Sequence, residues 1–158
     1  MTTLTYEIDV DAPVEMVYNF CTNPDNIKDT WSPDIVKEST TLSGANGERG
    51  STFKIKGHYA GKDEEMRMMV TEKRPNNKFM TKQTEGPFKK WESIQEFQGN
   101  DNKTHIKHTI DYELPTTGKI LRIVTHKDAD KQIREGMEEY IQALKYKMES
   151  SERKWMLH

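Results

Sequence analysis

Leu4, Tyr6, Ile8 and Val10 alternate with Thr5, Glu7 and Asp9, the period of a strand that buries one face. Asp11-Ala12-Pro13 ends that strand and opens a helix, since a proline in the first turn gives up no intrahelical hydrogen bond. Val14, Val17, Tyr18 and Cys21 then recur at helical spacing. Asn23-Pro24 repeats the cap-and-proline signal, predicting a second short helix to about Thr30, stopped by Trp31-Ser32-Pro33.

From Val36 the period returns to two. A strand is expected from Val36 to Leu42, then a turn from Ser43 to Gly50. Phe53, Ile55, Gly57 and Tyr59 share one face of the next strand, and Ala60-Gly61-Lys62 turns it into a hairpin. Met66, Met68 and Val70 line one face of the returning strand, with Glu65, Arg67 and Thr71 opposite. Phe79, Thr81 and Gln83 mark a shorter strand after Pro75-Asn76-Asn77. Trp91, Ser93, Gln95 and Phe97 mark one after Gly86-Pro87. Ile106, His108, Ile110, Tyr112 and Leu114 share a face of the last strand, which Pro115 ends. Short connections predict an antiparallel meander.

Beyond about Gly118 the period becomes helical. Ile120, Leu121 and Val124 begin an apolar stripe that resumes at Ile133, Met137, Tyr140, Ile141, Leu144 and Met148. The polar interval from Thr125 to Gln132 predicts a kink or break near Asp128. The expected fold class is therefore α+β: about six or seven antiparallel strands, two short helices after the first, and a long C-terminal helix. A twisted sheet of this size curls, and the one large helix is its only available cover, so space is expected between them.

Composition narrows the function classes. The chain has 158 residues, of which 33% are hydrophobic and 32% charged, a balance that raises the question of disorder. Fourteen aromatics (three Trp, six Tyr, five Phe) and the clear periodicities answer it in favour of a packed core. A net charge of −2 with no basic block lacks the footprint of nucleic-acid binding. Cys21 is the single cysteine, which excludes an internal disulfide and a multi-cysteine zinc site. No apolar run reaches the roughly 20 residues of a membrane span, and no secretory signal pattern opens the chain. A cytoplasmic location without stable membrane insertion is expected, and residues 1–158 read as one domain.

The pattern resembles the START-like, Bet v 1-like helix-grip superfamily (SRPBCC), in particular its polyketide cyclase/dehydrase and lipid-transport branch. The residues that carry the resemblance are Ile8-Asp9-Val10-Asp11-Ala12-Pro13 with Val17-Tyr18-Asn19-Phe20, and Asn23-Pro24 to Trp31-Ser32-Pro33. To these add Gly44, Gly47 and Gly50 leading to Phe53, Val70-Thr71-Glu72 with Pro75-Asn76, and Thr109 to Pro115. The resemblance spans nearly the whole chain and rests on order and spacing. It implies a hydrophobic cavity between sheet and helix; it transfers no catalytic set.

His108 is the candidate catalytic residue. Strand parity turns it toward the helix, where a partly desolvated imidazole could exchange a proton with a bound carbonyl or hydroxyl. The alternative is a core histidine satisfied by a neighbour or water. His105 has the opposite parity and His58 points outward, so no histidine pair forms a metal site, and no cofactor is expected. Tyr59, Tyr112 and Tyr140 could offer hydroxyls to a ligand; Met66, Met68 and Met137 would give an adaptable wall or plain core. With Phe53, Ile55, Phe79, Trp91, Ile110 and Ile141 these form the candidate ligand-binding set. The glycines at 44, 47 and 50 lead into a strand, so they read as a hairpin loop placed to gate a cavity mouth, not as a phosphate cradle.

Three readings stay open. The first is a carrier or sensor for a lipid, isoprenoid or polyketide-like molecule. The second is a cyclase or dehydratase with His108 as acid/base and Tyr112 or Tyr140 orienting a carbonyl. The third is a co-chaperone-like module with a protein partner, using an exposed Trp155 and Met156.

Overall fold

The computed structural model describes residues 1–44, 47–59, 62–115 and 126–156, and in the last stretch the side chains of 129–151. Among the described residues, seven strands form one antiparallel sheet. They are β1 (Thr2–Val10), β2 (Val36–Ser43), β3 (Thr52–Tyr59), β4 (Lys62–Arg74), β5 (Lys78–Glu85), β6 (Lys90–Asn100) and β7 (Lys103–Glu113). Their order across the sheet is β1-β7-β6-β5-β4-β3-β2. The helices are α1 (Val14–Cys21) and α2 (His126–Met156). The expected second short helix is a 3₁₀ helix, Pro24–Asp29, whose cap Asn23 accepts a hydrogen bond from the Asp25 N–H at 3.1 Å. Six residues led by proline close tight turns without building an α-helix.

β1 and β2 occupy opposite edges, so the chain must cross the whole sheet between them. α1 and the 3₁₀ helix make that crossing. Thr104 of β7 donates to the Ala12 carbonyl at 2.8 Å, the Tyr18 hydroxyl donates to the Lys78 carbonyl at 3.2 Å, and the Tyr18 ring meets Phe97 edge-on at 5.1 Å. Register shifts in the β2–β3 and β4–β5 ladders bend the sheet. The result is a curved sheet gripping a C-terminal helix, the helix-grip fold.

α2 buries Ala129, Ile133, Met137, Tyr140, Ile141, Leu144 and Met148, one broad stripe. It docks on β1 through Lys145 Nζ donating to the Asp9 carbonyl at 2.8 Å, and through Glu149, which accepts the Asp11 N–H at 3.0 Å. The helix is continuous from His126, so the polar interval around Asp128 does not interrupt it. The expected start of the stripe at Ile120, Leu121 and Val124, and the side chains of Trp155 and Met156, lie outside the described residues.

Two glycines are required by close approach. A Cβ at Gly57 of β3 would lie 1.8 Å from the Ile35 carbonyl oxygen, and the next N–H, of His58, bonds that same carbonyl at 3.0 Å. Gly47, at φ +73°, would bring a Cβ within 2.4 Å of the Thr22 carbonyl. The glycine loop therefore seats on the end of α1. None of its described residues lines the cavity, whose mouth the loop was expected to gate.

Candidate functional site: a cavity between sheet and helix

A cavity of about 170 Å³ lies between the concave face of the sheet and α2. β3, β4 and β5 give it Phe53, Ile55, Tyr59, Met66, Met68 and Phe79. β6 and β7 give it Trp91, Ser93, Gln95, His108 and Ile110, all by inward strand parity. α2 contributes Gln132, Ile133, Tyr140 and Leu144, and a third wall comes from Phe20, Cys21, Ile27 and Trp31 around the 3₁₀ helix. Half-exposed lining residues Ile35, His58, Glu64 and Gln132 mark the end beside the β3–β4 hairpin. Gln132 Nε2 donates to the His58 carbonyl there at 3.2 Å.

Ten of the thirteen sequence-predicted ligand residues meet on this wall: Phe53, Ile55, Tyr59, Met66, Met68, Phe79, Trp91, His108, Ile110 and Tyr140. Tyr112, Met137 and Ile141 do not. Tyr112 is turned inward as its parity requires, but Phe88 and Trp91 pack on it at 6.1 and 5.7 Å, and its hydroxyl donates to Asp130 on α2. Met137 and Ile141 lie on the buried face of α2 offset from Ile133, Tyr140 and Leu144. That face turns toward β1, where the Tyr6 hydroxyl donates to the Arg134 carbonyl at 3.5 Å.

Sequence reasoning missed Phe88, Trp31, Ser93, Gln95 and Leu144 as lining residues. Phe88 sits in a loop with no periodicity to reveal it. Gln83 holds that loop inward, its amide donating to the Phe88 carbonyl at 2.7 Å and accepting the Phe88 N–H at 3.4 Å. Ser93 and Gln95 share the parity of Trp91, a signal that was present in the alternation.

His108 is 5% exposed. Its Nε2 is 2.7 Å from the Ser93 hydroxyl, its ring meets Tyr140 edge-on at 5.3 Å, and its Nδ1 has no hydrogen-bond partner in the protein. Burial pushes the imidazolium down to about 3, so the ring is uncharged near neutral pH. Tyr140 accepts a hydrogen bond from Gln95 Nε2 at 2.8 Å, and burial raises its phenol well above the usual range. The Tyr59 hydroxyl is buried and unpartnered, with its pKa also raised by burial. Cys21 shows the cavity a thiol that burial pushes up to about 12, a protonated and unreactive form.

The outward parities hold. His105 pairs with Asp9 at 2.7 Å and Glu7 at 2.9 Å on the solvent face, and His58 pairs with Asp63 at 3.1 Å. Among the described residues no group of three or more His, Cys, Asp or Glu side chains could hold a metal ion. Nor is any helix there long and apolar enough to cross a membrane.

The family model described as polyketide cyclase/dehydrase and lipid transport matches residues 1–149. A START superfamily protein from Mycobacterium smegmatis is 19% identical with a TM-score of 0.75, over 94% of this chain and 97% of that one. A protein from Thermus thermophilus is 21% identical with a TM-score of 0.75, over 95% and 99%. The Zhui aromatase/cyclase from a Streptomyces species is 15% identical with a TM-score of 0.70, over 90% and 87%. These likenesses are of fold. No curated protein sequence matches the chain.

Proposed function

The chain belongs to the polyketide cyclase/dehydrase and lipid-transport family, and from that premise we propose that it binds a small hydrophobic molecule in the cavity between sheet and helix. The observation that carries the reading is the cavity itself: about 170 Å³ of space walled mainly by apolar and aromatic side chains. That is room for on the order of ten water-sized groups, and an apolar cavity of roughly 150 Å³ is enough to take benzene. A mostly apolar wall with a few converging polar groups is the usual make-up of a ligand site. In this reading the whole chain acts as one domain, in the cytoplasm, as carrier or sensor.

The cyclase or dehydratase reading draws on His108 lining the cavity and on the aromatase/cyclase among the fold relatives. An imidazole whose pKa is depressed to about 3 is a weak base, and near neutral pH it is not the imidazolium that would serve as a strong acid. Its environment therefore favours hydrogen-bonding a ligand over acid–base chemistry.

Native mass spectrometry of the protein purified from its producing cells tests the proposal. A reproducible adduct lost on denaturation is the expected result. A bare chain that also fails to bind any apolar aromatic probe would refute it.

A further inference from the structure

Neighbouring strands build a polar patch into the cavity wall. Thr81 of β5 stands directly across from Ser93 of β6, and Gln95, two residues further along β6, stands directly across from His108 of β7. All four line the cavity, as does Tyr140 of α2. Thr81, Gln95, His108 and Tyr140 are each more than nine-tenths buried, whereas Ile35, His58, Glu64 and Gln132 at the β3–β4 end are half-exposed. The patch therefore belongs to the inner part of the cavity.

The hydrogen bonds of this patch leave capacity unused. Ser93 Oγ has one partner among the described residues, His108 Nε2 at 2.7 Å, and His108 Nδ1 is sealed with none. Burial keeps the ring neutral, so one of its two nitrogens carries the hydrogen. On Nδ1 it would be an orphaned buried N–H, which proteins tolerate less often than an under-satisfied acceptor. On Nε2 it donates to Ser93 Oγ and leaves the serine's own hydrogen free. The Gln95 amide donates to Tyr140 Oη at 2.8 Å, while its carbonyl oxygen has no partner among the described residues, nor has the Thr81 hydroxyl. Neither of these two atoms is sealed, so both open on the cavity their residues line.

We infer that this patch holds a hydroxyl, of an alcohol or a phenol, at the inner end of the ligand: Ser93 donates to its oxygen and the Gln95 carbonyl accepts its hydrogen. This rests on the cavity-binding reading above and adds which group of the ligand is recognised, by which residues, and which end of the ligand leads. A hydroxyl fills both open places at once. A ketone or ether leaves the Gln95 carbonyl unpaired, and a hydrocarbon leaves Ser93 unpaired as well, each at the cost of a buried polar group that water no longer reaches. The apolar body then extends along the aromatic walls toward the half-exposed end at Ile35 and His58.

Isothermal titration calorimetry of the intact chain near neutral pH makes the test with two probes of nearly the same shape. They are naphthol and the fluoronaphthalene with fluorine in place of its hydroxyl. Naphthol is un-ionised there, because a phenol titrates near about 10. Naphthol binds about two- to tenfold more tightly than fluoronaphthalene. Ser93→Ala and Gln95→Met each remove most of that preference and leave fluoronaphthalene binding unchanged, which also shows that the variants are folded. Naphthol binding no tighter than fluoronaphthalene to the wild-type chain overturns this inference and leaves the cavity reading standing, whether or not the variants fold. A preference that survives either substitution in a folded variant overturns it too. No binding of either probe to the wild-type chain overturns both.

Discussion

The Trp31 ring lies flat on the Tyr140 ring, centroids 5.0 Å apart and planes within 8°. The stack joins the segment after the 3₁₀ helix to the middle of α2. Tyr140 also accepts from Gln95 of β6 and meets His108 of β7, so one side chain links three walls of the cavity. Removing Trp31 takes away both a wall and a clamp.

Trp31→Ala should therefore lose about 2 kcal/mol of stability. That is less than the roughly 3–5 kcal/mol of a fully buried aromatic, because Trp31 is half-buried. It should also weaken binding of apolar aromatic probes. Urea unfolding and probe titration read the two effects separately.

Gly136 of α2 sits under that stack: a Cβ there would lie 2.8 Å from Ile35 Cδ1 and 3.0 Å from Trp31 Cζ3. In an exposed helix Gly→Ala gains about 1 kcal/mol. Here the new methyl pushes on a ring already pinned by Tyr140, and Gly136→Ala should lose about 1 kcal/mol instead. A raised melting temperature in that variant would contradict the packing described.

Tyr59 and Tyr140 should respond oppositely to loss of their hydroxyls. Tyr59 Oη has no partner to strand, so Tyr59→Phe should leave stability unchanged or raise it by up to about 1 kcal/mol. Tyr140→Phe strands the buried Gln95 amide and should cost about 1–2 kcal/mol. Paired thermal or urea unfolding curves give the comparison.

His108 makes stability depend on pH. Its imidazolium is depressed to about 3 in the folded chain and titrates near about 6.5 when unfolded, so between those values the unfolded chain binds the extra proton. Stability then falls as pH drops below about 6.5, by about 1.4 kcal/mol per unit, giving about 2 kcal/mol between pH ~7 and pH ~5. His105, raised first by Glu7 and then by Asp9, works in the opposite direction from the solvent face. Comparing wild type with His108→Gln cancels that contribution, and the variant should lose the acid limb assigned to His108. Matching slopes would mean the ring is not desolvated as described.

Strand alternation made the sheet half of the cavity legible. Phe53, Ile55, Tyr59, Met66, Met68, Phe79, Trp91, His108 and Ile110 follow from period-two spacing, and the wall collects them because the sheet has one concave face, while Val70, Phe97 and Ile106, on the same strand faces, are buried without lining it. Helical spacing was less informative. It marks Ile133, Met137, Tyr140 and Ile141 as one apolar stripe, but a stripe this wide faces two neighbours, and only tertiary docking on β1 separates Met137 and Ile141 from the cavity side. Phe88 and Trp31 were illegible for another reason. Each stands outside a regular element and is placed by long-range partners, the Gln83 amide and the Tyr140 ring. Gly57 reads in sequence as one inward strand position; that the Ile35 carbonyl occupies the place of its side chain is a consequence of the crossover.

The most direct measurement is a set of intermolecular nuclear Overhauser contacts between bound naphthol and the protein in solution. The account predicts contacts from the naphthol ring to the side chains of Trp31, Trp91, His108 and Tyr140 together, and their loss when Leu144→Trp fills the space. Contacts confined to surface side chains such as Tyr146, or binding that survives Leu144→Trp unchanged in a folded variant, would contradict a ligand cavity between sheet and helix.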